Sequence, residues 1–96
     1  MPKLVISLPD AGEVTHELTG AKVAIGRINE NQIQIDDASI SSLHAELVQG
    51  GAGYVLRDLG STNGTCLNGE AVAAGEERPL SEGDRIRFGN VEAIYE

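Results

Sequence analysis

The chain has 96 residues and a formal net charge of −8, seven Lys and Arg standing against fifteen Asp and Glu. One hydrophobic core fits this length and two do not. The charge argues against a general nucleic-acid binder, which neutralises phosphates with clustered Lys and Arg, and against an anionic membrane surface.

In chain order, the dominant signal is a period of two, interrupted often by turn residues. Leu4, Ile6 and Leu8 alternate with Val5 and Ser7, and Pro9-Asp10-Ala11-Gly12 turns the chain. Val14 and Leu18 alternate with Thr15 and Glu17, and Val23 and Ile25 with Lys22 and Ala24. Ile33 and Ile35 flank Gln34, and Ala45 and Leu47 flank Glu46. Gly50-Gly51-Ala52-Gly53 predicts a turn, followed by a strand from Tyr54 to Arg57. Asn63-Gly64 and Asn68-Gly69 are turn dipeptides around a very short strand, Thr65-Cys66-Leu67. Pro79 removes a ladder donor and predicts an edge or a loop. Ser81-Glu82-Gly83-Asp84 turns into Arg85-Ile86-Arg87-Phe88, with Ile86 and Phe88 inward, and Gly89-Asn90 closes a last hairpin with Val91 to Tyr95. The best helical window, Ser39 to Leu47, is short and bounded by alternating β-branched residues. Around ten short strands and twelve glycines predict an all-β sandwich or barrel. Only Tyr54, Phe88 and Tyr95 are aromatic, so the core is expected to be aliphatic.

Cys66 is the single cysteine and has no internal disulfide partner. With no apolar segment behind a basic start and none near the ~18 residues of a membrane span, the expectation is a protein without signal peptide in a reducing, cytosolic setting.

Three segments interrupt the periodic background, each where a strand gives way to a loop: Gly26-Arg27, Ser41-Ser42-Leu43-His44-Ala45, and Asp58-Leu59-Gly60-Ser61-Thr62-Asn63-Gly64-Thr65. A phosphate dianion wants one fixed cation and several neutral donors. Arg27 offers a planar fork of N–H groups, and Ser41, Ser42 and Thr62 offer hydroxyls. Asn63 both donates and accepts, which suits a peptide main chain. Taken singly these residues have ordinary explanations: a solvated strand-end charge, loop-capping serines, a hairpin turn. Their convergence favours recognition.

Competing readings are weaker. Ser41, His44 and Asp58 would make a nucleophile–base–orienter set, but no oxyanion-hole motif or nucleophile elbow accompanies them. His44 with Asp36 and Asp37 lacks a metal-ligand spacing. Glycine-rich stretches lack the P-loop pattern. Cys66 reads as a small core residue and His16 as a partly buried surface histidine. Neither an enzyme, a cofactor nor a metal is expected.

Gly26-Arg27, the S-x-x-H of Ser41 and His44, and the D-L-G-S-T-N-G-T run from Asp58 with Asn68-Gly69 beyond it resemble the signature of the forkhead-associated (FHA) domain. The resemblance runs from about Val23 through the closing hairpin to residue 95, within one domain of residues 1–96. It implies a β-sandwich of two twisted sheets with eleven strands, termini close together, and a site in the loops at one end. It also implies recognition of phosphothreonine in a partner, a Ser/Thr kinase or its substrate, while the net charge already argues against nucleic acid and membrane. By position, Arg27 and Ser41 hold the phosphate, with Ser42 beside them. Thr62 adds a contact there and Asn63 bonds the ligand main chain. Gly26, His44, Asp58, Gly60 and Gly64 are scaffold: Gly26 allows a close approach and His44 ties two loops. Ala38, Ser39 and Ile40 occupy the positions that read the third residue after the phosphothreonine.

Ser42 departs from the pattern. That position often carries Arg, Lys or Asn in the family; replacing a basic residue there weakens binding by about 1 kcal/mol, whereas replacing Asn changes little. Asp36 and Asp37 also lie close in sequence to an anion site. The alternative reading is therefore a phospho-independent interaction domain on the same fold. The net charge further predicts ligands with Lys or Arg around the phosphothreonine.

Overall fold

Short alternating segments broken by glycine turns cannot bury a helical stripe, and they fold as paired strands. The structure, a computed structural model, describes residues 2–9 and 12–96. It contains eleven strands: β1 (Lys3–Leu8), β2 (Gly12–Glu17), β3 (Lys22–Gly26), β4 (Ile33–Gln34), β5 (Ala45–Gly50), β6 (Gly53–Asp58), β7 (Thr65–Leu67), β8 (Glu70–Val72), β9 (Glu77–Pro79), β10 (Arg85–Phe88) and β11 (Val91–Tyr95). No helix occurs among the described residues, so none is long and apolar enough to cross a membrane.

One sheet has the order β2-β1-β11-β10-β7-β8 and the other β4-β3-β5-β6-β9. The pairings are antiparallel except that of β3 with the two-residue β4. The inner faces supply the core. Leu4, Ile25, Leu47, Leu56 and Phe88 are fully buried, and Tyr54 and Tyr95 complete it. The Tyr54 hydroxyl leaves the apolar layer by donating to the Gly20 carbonyl at 2.7 Å. On the outer face of the second sheet, Glu46 lies between Lys22 and Arg57, and Arg57 also pairs with Glu77. The first and last strands are tied by reciprocal Lys3 and Glu96 backbone bonds of 2.8 Å, which brings the two ends of the fold together.

Some local expectations change. The turn expected at Pro9–Gly12 lies partly outside the described residues, since Asp10 and Ala11 are not among them. The Ser39–Leu47 window is a loop running into β5. β9 contains Pro79 and sits at the sheet edge, where the missing N–H costs no ladder bond. Val14 is 36% exposed because β2 is an edge strand away from the second sheet. Cys66 is not a core residue. Thr65 and Leu67 point inward, so strand parity turns Cys66 to the outer face, where the Arg87 guanidinium donates to its Sγ at 3.5 Å.

The registers decide where the loops meet. The end of β3 lies beside the start of β5, and Ala45 at that start pairs with Asp58 at the end of β6. Thr65, which opens β7, pairs with Phe88, which closes β10. Every segment singled out in the sequence therefore emerges at one end of the sandwich.

Candidate binding site

The three loops are held together by hydrogen bonds among the motif residues themselves. The Arg27 amide donates to the Ser41 carbonyl at 2.9 Å, which fixes the start of the Arg27 loop against the serine loop. The Ser41 amide donates to His44 Nδ1 at 3.1 Å. An accepting Nδ1 leaves the ring proton on Nε2, which donates to the Gly64 carbonyl at 2.9 Å. His44 is fully buried and packs edge-on against Phe88, with ring centroids 5.8 Å apart. Burial lowers its pKa below the ordinary histidine value, against the opposing effects of the Gly64 bond and the Asp58 charge.

Asp58 organises the third loop from beneath. Its Oδ1 accepts the hydroxyls of Ser61 and Thr65, each at 2.6 Å, and its Oδ2 accepts the amides of Gly60 and Ser61. Burial opposes the charged form, but these hydrogen bonds outweigh it, and the Asp58 pKa is lowered.

These contacts do not form a catalytic set. His44 faces the backbone amide of Ser41, not its hydroxyl, and Asp58 spends its oxygens on its own loop. The Ser41 hydroxyl instead accepts the Thr62 amide at 3.0 Å. Accepting through its oxygen leaves its hydrogen available to a ligand. Asn63 donates one amide hydrogen to the Ser39 carbonyl at 2.9 Å, so its second hydrogen and Oδ1 remain available at an exposed position. The Arg27, Ser42 and Thr62 side chains are exposed, and among the described residues Arg27 forms no ion pair.

The three expected selectivity positions differ. Ala38 is exposed. Ser39 is half-buried and fixed: its hydroxyl donates to Asp37 at 2.6 Å and accepts the Asn90 amide at 2.9 Å. Ile40 is 1% exposed and belongs to the core, so its side chain is not available to read a ligand. An apolar residue flanked by polar loop residues is buried by the hydrophobic effect wherever the core lies beneath the loop.

These contacts place Arg27, Ser41, Thr62 and Asn63 around one end of a two-sheet sandwich. The chain matches the family described as FHA domain over residues 23–89. The chain belongs to the FHA domain family. It is 36% identical over 87 residues to the FHA domain-containing protein At4g14490 of Arabidopsis thaliana, covering 90% of this chain and 22% of that protein. Its fold is similar to the FhaA FHA domain solved in complex with the intracellular domain of Rv3910, with a TM-score of 0.83, 34% identity, and coverage of 97% of this chain and 99% of that one. A second domain, solved in work on phosphothreonine-dependent FHA domain interactions, superposes with a TM-score of 0.82 at 34% identity, covering 97% and 94% of the two chains.

The structure of this FHA domain adds residues that its motif string did not single out. Asn31 is buried and donates from Nδ2 to the carbonyls of Ile28 at 2.8 Å and Ser42 at 2.9 Å, so it clamps the Arg27 loop to the serine loop. Gly26 lies directly beneath that clamp, and a Cβ there would collide with the Ser42 carbonyl and with Asn31 Nδ2. Gly89, at φ +57°, is equally constrained, because a Cβ would run into the Ser39 carbonyl and hydroxyl. The β10–β11 turn is thereby part of the site's support. Asn31 looks like any turn residue in the sequence, and the Asn90–Ser39 contact joins residues 51 apart.

Proposed function

We propose that this FHA domain, folding as one unit over residues 1–96, is a non-catalytic module that binds phosphothreonine peptides. It would couple a Ser/Thr kinase to a partner or substrate in the cytoplasm. One observation carries the reading. Arg27 is exposed and unpaired among the described residues, beside hydroxyls whose loops are already fixed by internal bonds. In that arrangement a phosphate meets the guanidinium and the Ser41 hydroxyl with little ordering left to occur. Thr62 adds a hydroxyl, and Asn63 Oδ1 accepts a main-chain N–H beside the phosphothreonine. Ser42 contributes a neutral contact only. The similar domain studied for phosphothreonine-dependent interactions supports the same chemistry here.

The test is a binding comparison of phosphothreonine peptides with their unphosphorylated and phosphoserine twins, for the wild type and Arg27→Ala. The expected result is binding that requires the phosphate and weakens at least about tenfold in Arg27→Ala, as for loss of a charge-assisted contact. Equal affinity for phosphorylated and plain peptides would overturn the proposal. Undiminished phosphopeptide affinity in Arg27→Ala would remove Arg27 from its role.

A further inference from the structure

The cations of this acidic chain are distributed unevenly. Lys3, Lys22, Arg57 and Arg78 each pair with a carboxylate. Among the described residues the cations without such a partner are Arg27, at the candidate site, and Arg85 and Arg87, both exposed on β10. Residues two apart on a strand share a face with Cα atoms about 7 Å apart, so the like charges of Arg85 and Arg87 repel. Glu92 lies directly opposite Arg87 in the β10–β11 register, yet no ion pair joins them.

The two arginines line a groove of about 320 Å³ on the outer face of the first sheet. Its hollow arises where small residues stand, Cys66 on β7 and Gly69 in the β7–β8 turn. Its end wall is fixed: Asn68 Oδ1 accepts the Arg85 amide at 2.9 Å, and Asn68 Nδ2 donates to Asp84 at 3.1 Å. The groove opens three residues along the chain from Asn63, at Cys66, a distance an extended partner segment covers in about three to four residues.

We infer that this groove is a second interaction surface that takes an acidic segment of a partner protein. Charge complementarity selects the occupant. Two unpaired arginines in a rigid hollow suit one or two carboxylates, while a nucleic acid or lipid surface needs a broader basic field than a chain of net charge −8 presents. Glu92 lines the same groove opposite Arg87 and offsets part of their mutual repulsion, and a ligand carboxylate reaching Arg85 and Arg87 would relieve the rest. The surface is distinct from the Arg27 site and does not depend on the phosphothreonine reading.

The test uses isotope-labelled protein titrated with an unphosphorylated hexaglutamate peptide and, at equal ionic strength, a hexaglutamine peptide. Saturable shifts of the Arg85 and Arg87 side-chain Nε–H signals and the Cys66 amide are expected with glutamate alone. In the double variant Arg85→Gln, Arg87→Gln, which has no such Nε–H signals, the Cys66 shift should vanish, and all the shifts should persist in Arg27→Gln. Fusing the acidic segment to a phosphothreonine peptide should raise affinity about threefold to tenfold in the wild type and not in the double variant, whose affinity for the plain phosphopeptide stays unchanged. Absence of the glutamate shifts, or shifts centred on Arg27, would overturn the inference. Equal shifts from duplex DNA or anionic vesicles would overturn the assignment to a protein segment. If phosphopeptides fail to bind while the glutamate shifts appear, the proposed function fails and this surface stands.

Discussion

The Ser41 hydroxyl accepts the Thr62 amide hydrogen at 3.0 Å, so the side chain that ties two loops is also one proposed to meet the phosphate. Removing it tests both roles. Ser41→Ala leaves the Thr62 amide without that partner and deletes one donor to the phosphate. Because Thr62 is exposed, water satisfies its amide, and the stability cost should stay near 1 kcal/mol. Affinity should fall more, by about tenfold, since a hydrogen bond to a charged ligand is worth roughly 1.5–3 kcal/mol. Calorimetric titration together with denaturant unfolding checks the split. A large stability loss with unchanged affinity would reassign Ser41 to the scaffold.

Asn31 supports the same loops without facing the ligand. Asn31→Ala abandons two carbonyls in a part-buried position and should cost about 1–3 kcal/mol. Asn31→Asp should cost more than alanine, because an oxygen then replaces the donor that points at the Ile28 and Ser42 carbonyls. Gly26→Ala should destabilise by a similar ~1–3 kcal/mol through overpacking against the Ser42 carbonyl. Urea unfolding of the three variants gives the order. Phosphopeptide affinity should fall in each, because the Arg27 loop loses its register with Ser41.

His44 gives the site a pH limit. Its buried ring is neutral, with Nδ1 accepting and Nε2 donating, and protonation would turn Nδ1 into a donor facing the Ser41 amide. Its pKa is lowered, so the unfolded chain takes up this proton at higher pH than the folded one. The stability contribution is therefore complete above the unfolded value of about 6.5 and declines as pH falls from there toward the lowered folded value. Asp58, also lowered, adds a second loss only at more acidic pH, as it becomes protonated through and below the ordinary aspartate range. Unfolding free energy measured from pH 8 to 3 should show two declines, and His44→Gln should remove the first.

Much of this was legible in the residue order, and what was not has physical reasons. Period two placed Leu4, Ile6, Ile86 and Phe88 correctly because each sheet has one buried face. The motif string brought Arg27, Ser41, Thr62 and Asn63 to one end because it spans the ends of strands whose registers fix that end. β8, of three residues, is too short to carry a period, whereas the alternation of Ile33, Gln34 and Ile35 marked β4. Cys66 was misassigned because strand parity decides its face, and a three-residue strand leaves parity open. The supports provided by Asn31 to Ser42 and by Asn90 to Ser39 are contacts between distant segments, for which one sequence holds no pairwise signal.

The field around the site should make flanking charge matter. Asp37 is held ionised by the Ser39 hydroxyl and then the Ser39 amide, which lower its pKa, and the Ser39 carbonyl in turn holds Asn63. Asp36 and Glu30 are exposed on the loops that follow Arg27. A peptide with Lys or Arg beside the phosphothreonine should bind tighter than its Glu counterpart by about 1.4- to 5-fold per residue, the range of exposed pairs. The same chain field should retard association of acidic peptides more than it speeds their release. Salt separates this effect from the phosphate contact. Screening lengths fall from about 30 Å at 0.01 M to about 8 Å at 0.15 M, so the ratio of affinities for the basic and acidic peptides should shrink over that range. The requirement for the phosphate should survive, because the Ser41 and Thr62 donors act at contact distance. Peptide selection at low salt that favours Glu directly beside the phosphothreonine would contradict this. Glu several residues away, within reach of Arg85 and Arg87, should be accepted, because there the local charge opposes the net charge of the chain.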